Sequence, residues 1–281
     1  MIDILLSTYN GARYLHEQID SIINQSFTDW HLLIRDDGST DNTVVIVDDY
    51  CQKYPRKIKK ITDTFGNVDV IRSFEILLEN STADYIMFCD QDDFWLPNKI
   101  ELSFNKIKQM ENQYGLDIPL LVHTNLKVVD ENRNLICDSF WKYSALKPEI
   151  LDKNIYYLSI CNCVTGCTVL INKKAKEISL PFIAPIEMHD VWIALHVKKY
   201  GEIDYLYIPT IEYRQHAANI LGAEPASFSI IRRFFKMKEV IRENKMKYRY
   251  YHPFVFKSVF QYLYYKLKYF YIAHFIISKE R

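Results

Sequence analysis

The sequence Tyr85-Ile86-Met87-Phe88-Cys89-Asp90-Gln91-Asp92-Asp93 constrains the architecture of this chain more than any other stretch. Its first five residues are apolar and predict a buried strand. The three carboxylates that follow repel one another and lose hydration near a core, which a divalent cation among the oxygens would make tolerable. A hard cation with open positions suits a diphosphate, whose charge it neutralises as a bond to phosphate breaks. An acidic loop after a strand is the alternative.

Short apolar runs alternate with helical patterns through the first half of the chain. Residues 2–6, 30–34 and 85–89 predict strands, and apolar residues recur at helical spacing between them. This alternation indicates βαβ units and a mainly parallel sheet. Further strands are predicted at 120–123, 126–129 and 168–171, where the less regular spacing indicates a mixed second half. The expected fold class is therefore α/β, with a mixed, mainly parallel sheet flanked by helices.

Polar residues follow the first three predicted strands, at the edge where α/β sheets bind ligands. The first strand ends in Ser7-Thr8-Tyr9-Asn10-Gly11, the second in Arg35-Asp36-Asp37-Gly38-Ser39-Thr40-Asp41, and the third in the carboxylates. Three such ends on one edge predict a site. None of the seven glycines forms a dinucleotide or P-loop motif. If a nucleotide binds, a metal must therefore do what a glycine-rich loop does elsewhere.

Charge is unevenly distributed along the 281 residues, although the formal net charge is zero. Residues 228–281 hold 13 Lys/Arg and 3 Asp/Glu, whereas residues 1–227 hold 22 and 32. Because the predicted site lies on the acidic part, the distribution argues against a nucleic-acid binder.

The cysteines and the first residues indicate a cytoplasmic protein. None of the six cysteines forms a C-x-x-C pair, so we expect reduced thiols. The start Met1-Ile2-Asp3 has no basic segment of the kind that begins a secretory signal. No run of 18 uncharged apolar residues predicts a membrane-spanning helix.

The three strand ends, together with their order and spacing, resemble the family 2 glycosyltransferases, which have the Rossmann-like GT-A fold. The resemblance covers about residues 1–220. Three later segments resemble the bacterial rhamnosyltransferase-like branch: Val164-Thr165-Gly166-Cys167, His189-Asp190-Val191-Trp192 and Tyr213-Arg214-Gln215-His216. The resemblance implies a catalytic domain over residues 1–225, with a nucleotide-binding half over about 1–115 and an acceptor half over about 116–225. Residues 226–281 would form a helical appendage.

The resemblance also assigns roles to matching residues. Those implied to bind the nucleotide sugar are Thr8, Tyr9, Asn10, Asp37, Asn67, Asp90 and Arg214. Those implied to hold a divalent metal, Mn²⁺ or Mg²⁺, are Asp90, Asp92 and His216. The Asp37 carboxylate can accept the imide N–H of uracil or thymine, which favours UDP- or dTDP-sugars, although Asp-Gly is also a common turn pair. For His216, the alternative to a metal ligand is a residue of a solvated loop.

Asp190 matches the family's catalytic base. In an inverting transfer the acceptor hydroxyl attacks the anomeric carbon from the face opposite the diphosphate, and a nearby carboxylate takes its proton. His189 and Trp192 are the expected acceptor contacts. The alternative for Asp190 is a cap on a helix that runs over residues 191–200.

The basic tail contains 16 Phe/Tyr beside its 13 basic residues. Apolar residues at 230, 231, 234, 235, 240 and 241 predict an amphipathic helix, and residues 254–277 form an aromatic segment interrupted by lysines. Such a pattern suits a helix in the interface of an anionic membrane. The alternatives are a helical appendage that packs on the catalytic domain or one that forms a homo-oligomer contact.

The resulting hypothesis is an inverting, metal-dependent glycosyltransferase of bacterial surface polysaccharide synthesis, such as capsule, at the inner face of the cell membrane. Its donor would be dTDP-L-rhamnose or a UDP-hexose, and its acceptor a glycan or lipid-linked glycan. A sugar nucleotidyltransferase is the first rival, although the loop after the first strand offers only Gly11 and Arg13 for a triphosphate. A nucleotide- or glycan-binding subunit without catalysis is the second.

Overall fold

The computed structural model describes residues 1–183, 185–216 and 237–272, and the side chains of 237–241 are left aside. The first four strands are parallel and are connected by helices. Three of them were predicted, and the strand Ile58–Lys60 was not. The elements up to the fourth strand are β1 (Ile2–Thr8), α1 (Leu15–Ile23), β2 (Trp30–Asp36), α2 (Thr43–Lys53), β3 (Ile58–Lys60), α3 (Asp69–Asn80) and β4 (Tyr85–Cys89). These are the βαβ units that the alternating pattern indicated.

The second half of the described chain completes a nine-stranded sheet. Its elements are β5 (Phe94–Trp95), α4 (Lys99–Tyr114), β6 (Leu120–Val129), β7 (Leu135–Cys137), α5 (Phe140–Tyr143), α6 (Pro148–Leu151), α7 (Ile155–Ile160), a 3₁₀ turn (Gly166–Thr168), β8 (Leu170–Asn172), α8 (Lys173–Ser179), α9 (His189–Tyr200), β9 (Glu202–Arg214), α10 (Met237–Tyr251) and α11 (Val259–Tyr271). The strand order is β3-β2-β1-β4-β8-β6-β9-β5, and β7 pairs with β6. Because β8 is antiparallel to both neighbours, the sheet is mixed, and the predicted fold class is confirmed.

The strands predicted at 120–123 and 126–129 were placed correctly but are not separate. Residues 120–123 and 126–129 belong to the single strand β6, whose pairing with β9 shifts register near Asn125. β9 itself was not predicted, because its alternation is mixed with charges and interrupted by Pro209, which lies opposite Asn125 at the irregular pairing. The backbone tolerates proline there because the regular ladder is already broken.

The two faces of the sheet bury separate apolar clusters. Ile2, Ile4 and Leu6 of β1 point into the first cluster, which α1, α2 and α4 cover. Leu5 points into the second cluster with residues of α3 and α9. The alternation follows from the period-two geometry of a strand.

The strand register brings the polar strand ends to one edge of the sheet. Thr8 at the end of β1 pairs with Asp36 at the end of β2. Leu6 of β1 pairs with Cys89, the last residue of β4, so the carboxylate run begins beside the turn after β1.

The tail packs against the second apolar cluster of the sheet. Tyr251, Val255, Phe256 and Tyr262 are buried in the second cluster. An amphipathic helix was predicted to begin near residue 230, but residues 230–236 lie outside the described residues. The predicted domain boundary at 225/226 also lies outside them. Among the helices that the structure describes, none is long and apolar enough to cross a membrane.

Candidate active site

A cavity of about 510 Å³ opens at the sheet edge where β1, β2 and β4 end. Its lining combines polar residues from the strand ends and the start of α9 with the apolar side chains of Val70, Phe74 and Met188. Of the predicted site residues it contains Tyr9, Asp37, Asn67, Asp90, Asp92, His189 and Asp190. Thr8, Asn10, Trp192, Arg214 and His216 are not among its lining residues.

The turn after β2 is held by the buried guanidinium of Arg35. It donates to Asp37 Oδ1 at 2.7 Å and to Asp63 Oδ2 at 2.7 Å. It also donates to the carbonyl oxygen of Gly66 at 2.9 Å. Because the hydrogen bond from Arg35 favours the charged form of the Asp63 carboxylate, the pKa of Asp63 lies below its ordinary value. We call Arg35, Asp37, Asp63, Gly66 and Val68 the Arg35 network.

Asp37 is more than a turn residue. Its Oδ1 also accepts the Val68 N–H at 2.8 Å, and its Oδ2 accepts the Asp69 N–H at 3.1 Å. The carboxylate still lines the cavity. Asn67 donates to the Asp37 carbonyl at 2.9 Å, and Asp69 has a positive φ of 76°. A non-glycine residue with positive φ is strained and is found preferentially at functional sites.

In the turn after β1, Thr8 and Asn10 support the backbone. The Thr8 hydroxyl donates to Asp36 Oδ1 at 3.0 Å. Asn10 has a φ of 48°, and its Oδ1 accepts the Thr40 N–H at 2.8 Å. These contacts join the turns after β1 and β2, so both residues stabilise the backbone of these turns. The nucleotide contacts predicted for them stay predictions.

Gln91 joins the turn after β1 to the carboxylate run. Its Oε1 accepts the Tyr9 N–H at 2.9 Å, and its Nε2 donates to the Tyr9 carbonyl at 3.0 Å. A Cβ on Gly11 would lie 2.1 Å from Gln91 Oε1, so glycine is needed there for close approach. The prediction of the site missed Gln91, although its place between Asp90 and Asp92 was the available signal.

In the carboxylate run, burial and neighbouring negative charges disfavour the ionised forms of the side chains. Burial raises the pKa of Asp90, and the negative charges of Asp92 and Asp190 raise it further. Burial likewise raises the pKa of Asp93, followed by the charges of Asp92 and Asp90. The buried amine of Lys99, also missed from sequence, interacts electrostatically with Asp93, and burial lowers its pKa to about 8. We call Asp90, Asp92, Asp93 and Asp190 the carboxylate centre.

His216 lies in this region, as predicted for a metal ligand. Its Nε2 is 2.8 Å from Asp92 Oδ2. A histidine and several crowded carboxylates whose charged forms are disfavoured are a donor set that a divalent cation would stabilise. Of the three predicted ligands, Asp92 and His216 are in contact, whereas the Asp90 carboxylate lies within 4.8 Å of Asp93 and of the Cys167 thiol. The chemistry of these groups fits a divalent cation, which Asp90, Asp92 and His216 would hold.

Arg214 supports the carboxylate run through three side-chain contacts, and its phosphate contact stays a prediction. Its guanidinium donates to the carbonyl of Asp92 at 2.9 Å, to the carbonyl of Glu131 at 2.7 Å and to Glu17 Oε2 at 2.8 Å. Its backbone N–H donates to Asp93 Oδ1 at 3.2 Å. The structure thus shows Arg214 fixing the backbone of the carboxylate run from beneath, since it is almost fully buried.

Asp190 lies in the first turn of α9 and faces the cavity. Its Oδ2 accepts the Gly166 N–H at 2.8 Å, and its Oδ1 accepts the Val191 N–H at 2.7 Å. Burial raises its pKa to about 6, against the opposing effect of these two hydrogen bonds. The residue preceding the helix is Met188, so Asp190 is not the N-cap.

The two predicted acceptor contacts have different positions. His189 lines the cavity and stacks on Phe74 with a centroid separation of 4.1 Å, and burial lowers its pKa to about 3. Trp192 donates from Nε1 to the Ser179 carbonyl at 2.8 Å and packs near Phe254, outside the cavity. Geometry therefore supports an acceptor contact for His189 and gives none for Trp192.

Comparison with known proteins agrees with this geometry. The model of the family described as Glycosyl transferase family 2 matches residues 3–179. The chain belongs to this family. It is accordingly a glycosyltransferase, and the enzyme class predicted from the sequence is confirmed.

Two relatives of this glycosyltransferase extend the comparison. The dTDP-rhamnosyl transferase RfbG of Shigella flexneri is 30% identical over 233 residues, which are 78% of this chain and 74% of RfbG. The UDP-Glc:alpha-D-GlcNAc-diphosphoundecaprenol beta-1,3-glucosyltransferase WfgD of Escherichia coli is 25% identical over 197 residues, which are 69% of each chain.

Solved structures share the fold of this glycosyltransferase. Residues 1–349 of TarS from S. aureus, in complex with UDP-GlcNAc, align with a TM-score of 0.56 and 17% identity over 89% of this chain and 71% of that one. The mannosyltransferase PcManGT from Pyrobaculum calidifontis, in complex with GDP-Man and Mn²⁺, aligns with a TM-score of 0.54 and 15% identity over 86% and 64%. The GT-A fold predicted from the sequence is confirmed.

Proposed function

We propose that this glycosyltransferase catalyses an inverting, metal-dependent transfer of a sugar from a dTDP- or UDP-sugar to a glycan or lipid-linked glycan of a bacterial surface polysaccharide. The observation that carries the proposal is one cavity lined by Asp37, Asp90, Asp92 and Asp190. A donor contact, candidate metal ligands and a candidate base thus border the same space, as a displacement at an anomeric carbon requires.

A divalent cation on Asp90, Asp92 and His216 would neutralise the charge that develops on the leaving diphosphate. The chain's own contribution is to position these groups. Arg214 holds the Asp92 carbonyl and the Asp93 carboxylate, and Gln91 connects the run to Tyr9. The imidazole of His216 is held beside Asp92, ready for the same site.

Asp190 would act as the base that removes the acceptor proton. Its two backbone hydrogen bonds fix the orientation of the carboxylate and leave further lone pairs on both oxygens for a hydroxyl. A pKa of about 6 keeps the group ionised at neutral pH yet basic enough to accept a proton. His189 stays neutral at the same pH and would contribute a neutral ring to the acceptor side.

The donor proposal rests on Asp37 and on the relatives. A fixed carboxylate at the cavity wall can accept the single imide N–H of uracil or thymine. The names of RfbG and WfgD specify a dTDP-rhamnosyl and a UDP-glucosyl donor for those proteins. We infer dTDP-L-rhamnose as the first donor and a UDP-hexose as the second.

Calorimetric titration with dTDP, UDP and GDP, each with Mn²⁺ and with EDTA, tests the donor and metal assignments. We expect dTDP or UDP, but not GDP, to bind, and to bind more tightly with Mn²⁺. Asp92→Asn should remove the Mn²⁺ dependence. Asp117→Asn is the matched control, because that side chain is 97% exposed at a distance from the cavity. If the protein bound all three nucleotides equally well, both with Mn²⁺ and with EDTA, the assigned roles of Asp37 and Asp92 would be contradicted.

The tail is proposed to place the enzyme on the cytoplasmic face of an anionic membrane. One face of α11 buries Tyr262, while another exposes Phe260 at 79% and Leu267 at 70%, together with Leu263, Tyr264, Phe270 and Tyr271. Exposed apolar residues at helical spacing, with Lys266 and Lys268 on the same helix, suit the interface of a bilayer that contains anionic lipid.

Vesicle sedimentation tests the membrane proposal. Phe260→Ser with Leu267→Ser should weaken binding to phosphatidylglycerol vesicles at least about tenfold, because two large apolar side chains leave the interface. Leu116→Ser with Ile183→Ser is the control, since those residues are 67% and 65% exposed elsewhere. Deletion of the tail is less informative because it would uncover the second cluster. Unchanged binding of the α11 variant would refute the membrane contact.

A further inference from the structure

The tail contacts the segment that leads into α9 and to the Asp190 carboxylate. Glu187 lies three residues before Asp190, and Met188 between them lines the active-site cavity. One carboxylate oxygen of Glu187 accepts a hydrogen bond from the Tyr251 hydroxyl of α10. Lys247, one turn earlier in α10, lies with its amine 3.4 Å from the other oxygen. Two side chains of the tail therefore hold the residue through which the chain enters α9.

This contact is buried and lies close to the proposed base. Tyr251 is 5% exposed, so water competes little for its hydrogen bond to Glu187. Burial raises the pKa of the Tyr251 hydroxyl, and the negative charges of Glu187 and Asp190 raise it further, so the hydroxyl lies near both carboxylates. At neutral pH the phenol is therefore protonated and donates to Glu187.

The chain that follows α10 extends the contact along α9. The ring of Phe254 stacks on that of His196 with a centroid separation of 4.2 Å, and it lies 6.2 Å from the ring of Trp192. The Lys199 amine donates to the Phe254 carbonyl at 2.9 Å. The tail thus contacts both the entry to α9 and its later turns, so a displaced tail would also displace the first turn, where Asp190 lies.

The charge of Glu187 also acts on Asp190. Burial is the main cause of the raised pKa of Asp190, about 6, and the negative charge of Glu187 adds to it. The other titratable groups around Asp190 are His189 on α9, Tyr251 and Lys247 on α10, and the carboxylates that line the same cavity, those of Asp37, Asp69, Asp90 and Asp92. All of these are retained when Glu187 is substituted, so a change in the pH dependence of transfer can be assigned to Glu187.

We propose that Glu187, held by Tyr251 and Lys247 of the tail, is a positioning residue for Asp190; this inference rests on the proposed function, in which Asp190 is the base. Glu187 would fix the start of α9, and its charge would keep the Asp190 carboxylate basic. The tail would then contribute to transfer even where no membrane is present.

The test uses full-length protein with Mn²⁺ and no lipid vesicles. Turnover is measured as release of the nucleoside diphosphate from dTDP-L-rhamnose or UDP-glucose, first with water as the acceptor and then with a hexose diphosphate on a short prenyl chain. The rate is recorded from pH 5 to pH 8. Calorimetric binding of dTDP or UDP shows whether each variant keeps its donor site.

Tyr251→Phe tests the hydrogen bond, because it keeps the ring and removes only the donor to Glu187. We expect kcat about fivefold lower, with donor affinity and the KM for the acceptor unchanged, since a less well placed base slows the chemical step alone. Tyr248→Phe is the matched control: it lies on the same helix, and its hydroxyl forms no hydrogen bond with the residues that the structure describes. Its kcat should equal that of the wild type.

Glu187→Gln tests the charge, because it keeps the size of the side chain and an acceptor for Tyr251. The acid limb of the kcat profile should move down by about 0.5 pH unit, since a negative charge no longer opposes ionisation of Asp190. Glu243→Gln removes an exposed carboxylate from α10 and is the matched control. Its acid limb should coincide with that of the wild type.

The proposal is overturned if the acid limb of Glu187→Gln stays in place, or if Tyr251→Phe is as active as Tyr248→Phe. Both shifts, with donor binding retained, would support it. A wild type that turns over neither donor, or that has no acid limb near pH 6, would count against the proposed function itself, and this inference would fall with it.

Discussion

The Arg35 network and the carboxylate centre border the same cavity but balance their charges in opposite ways. In the network, Arg35 faces two carboxylates and holds the pKa of Asp63 below its ordinary value. In the centre, burial and neighbouring charges raise the pKa values of Asp90 and Asp93. In the first region the carboxylates have a cation within the chain, whereas in the second the charged forms of the carboxylates are disfavoured.

This difference predicts that the Arg35 network contributes to stability and that the carboxylate centre contributes to activity. A carboxylate whose pKa is lowered by folding stabilises the fold above its unfolded pKa, and that stability is lost as the pH falls through the folded value. A carboxylate whose pKa is raised destabilises the fold once it ionises. Substitutions in the Arg35 network should therefore cost stability, and isosteric substitutions in the carboxylate centre should cost activity alone.

Asp190→Asn should have the largest effect. Loss of the base should lower kcat about 10³-fold, within the range usual for general-base catalysis. Asn keeps one acceptor for the two backbone N–H groups, but it also removes a charge that the fold disfavours, so the melting temperature at pH 7.5 should change little. Single-turnover transfer and calorimetric donor binding measure the two effects.

Donor affinity should stay within about twofold in Asp190→Asn, since Asp37 and the candidate metal ligands remain. Asp117→Asn serves as the control for loss of an exposed carboxylate. A variant that unfolds, or that retains most of its transfer rate, would show that Asp190 belongs with the supporting residues.

Arg35→Met should produce the next largest effect, and it should fall on stability. The side chain is 1% exposed, and its removal leaves Asp37 and Asp63 without their cation. Breaking one side of a buried ion pair costs about 3 kcal/mol or more. Urea unfolding measures the loss.

Arg56→Met removes an exposed arginine on the same half and should change the unfolding free energy by less than about 0.5 kcal/mol. If Arg35→Met were as stable as this control, the contrast between the network and the carboxylate centre would fail.

The fold and the centre of the site were predictable because their signals are local in sequence. Apolar strands that end in polar residues fix which side chains share a sheet edge, and this placed Asp37, Asp90 and Asp92 together. Asp190 was assigned by resemblance, since no periodicity connects α9 to β4 across about one hundred residues. The structure shows the connection, because Gly166 holds the Asp190 carboxylate.

The roles of Thr8, Asn10 and Arg214 could not be separated from sequence. Whether a polar side chain faces a ligand or the backbone depends on partners distant in the chain. Arg214 illustrates this, since it contacts Glu17, Asp92 and Glu131, and β9 positions it only after pairing with β6. Pro209 and the charges of β9 hid that strand from pattern analysis.

The pH dependence of kcat tests the role of Asp190 in the carboxylate centre through a smaller effect. Asp190 is an active base only when ionised, so kcat should rise with pH through about 6 and then level. At pH 5 we expect kcat about tenfold below the plateau, one pH unit under the pKa. Donor affinity, measured over the same range, separates this limb from titration at the candidate metal site. A rate that falls as the pH rises from 5 to 7 would contradict the base assignment.

The smallest expected effect lies where the turn after β1 meets the carboxylate centre, at Gly11 and Gln91. Gln91→Ala loses both hydrogen bonds to the Tyr9 backbone and should cost about 1 kcal/mol of unfolding free energy. Gly11→Ala should cost about the same, because its Cβ would lie 2.1 Å from Gln91 Oε1 and would displace that side chain. The double variant should then be little worse than either single one.

This lack of additivity is the measurement that matters, since only residues in contact show it. Gly115→Ala provides the matched control: its φ of 97° makes the substitution unfavourable, yet no atom lies within 4 Å of the new Cβ. Its cost should add in full to that of Gln91→Ala. If Gly11→Ala also added in full, the approach of the turn after β1 to Gln91 would not be what requires glycine at this position.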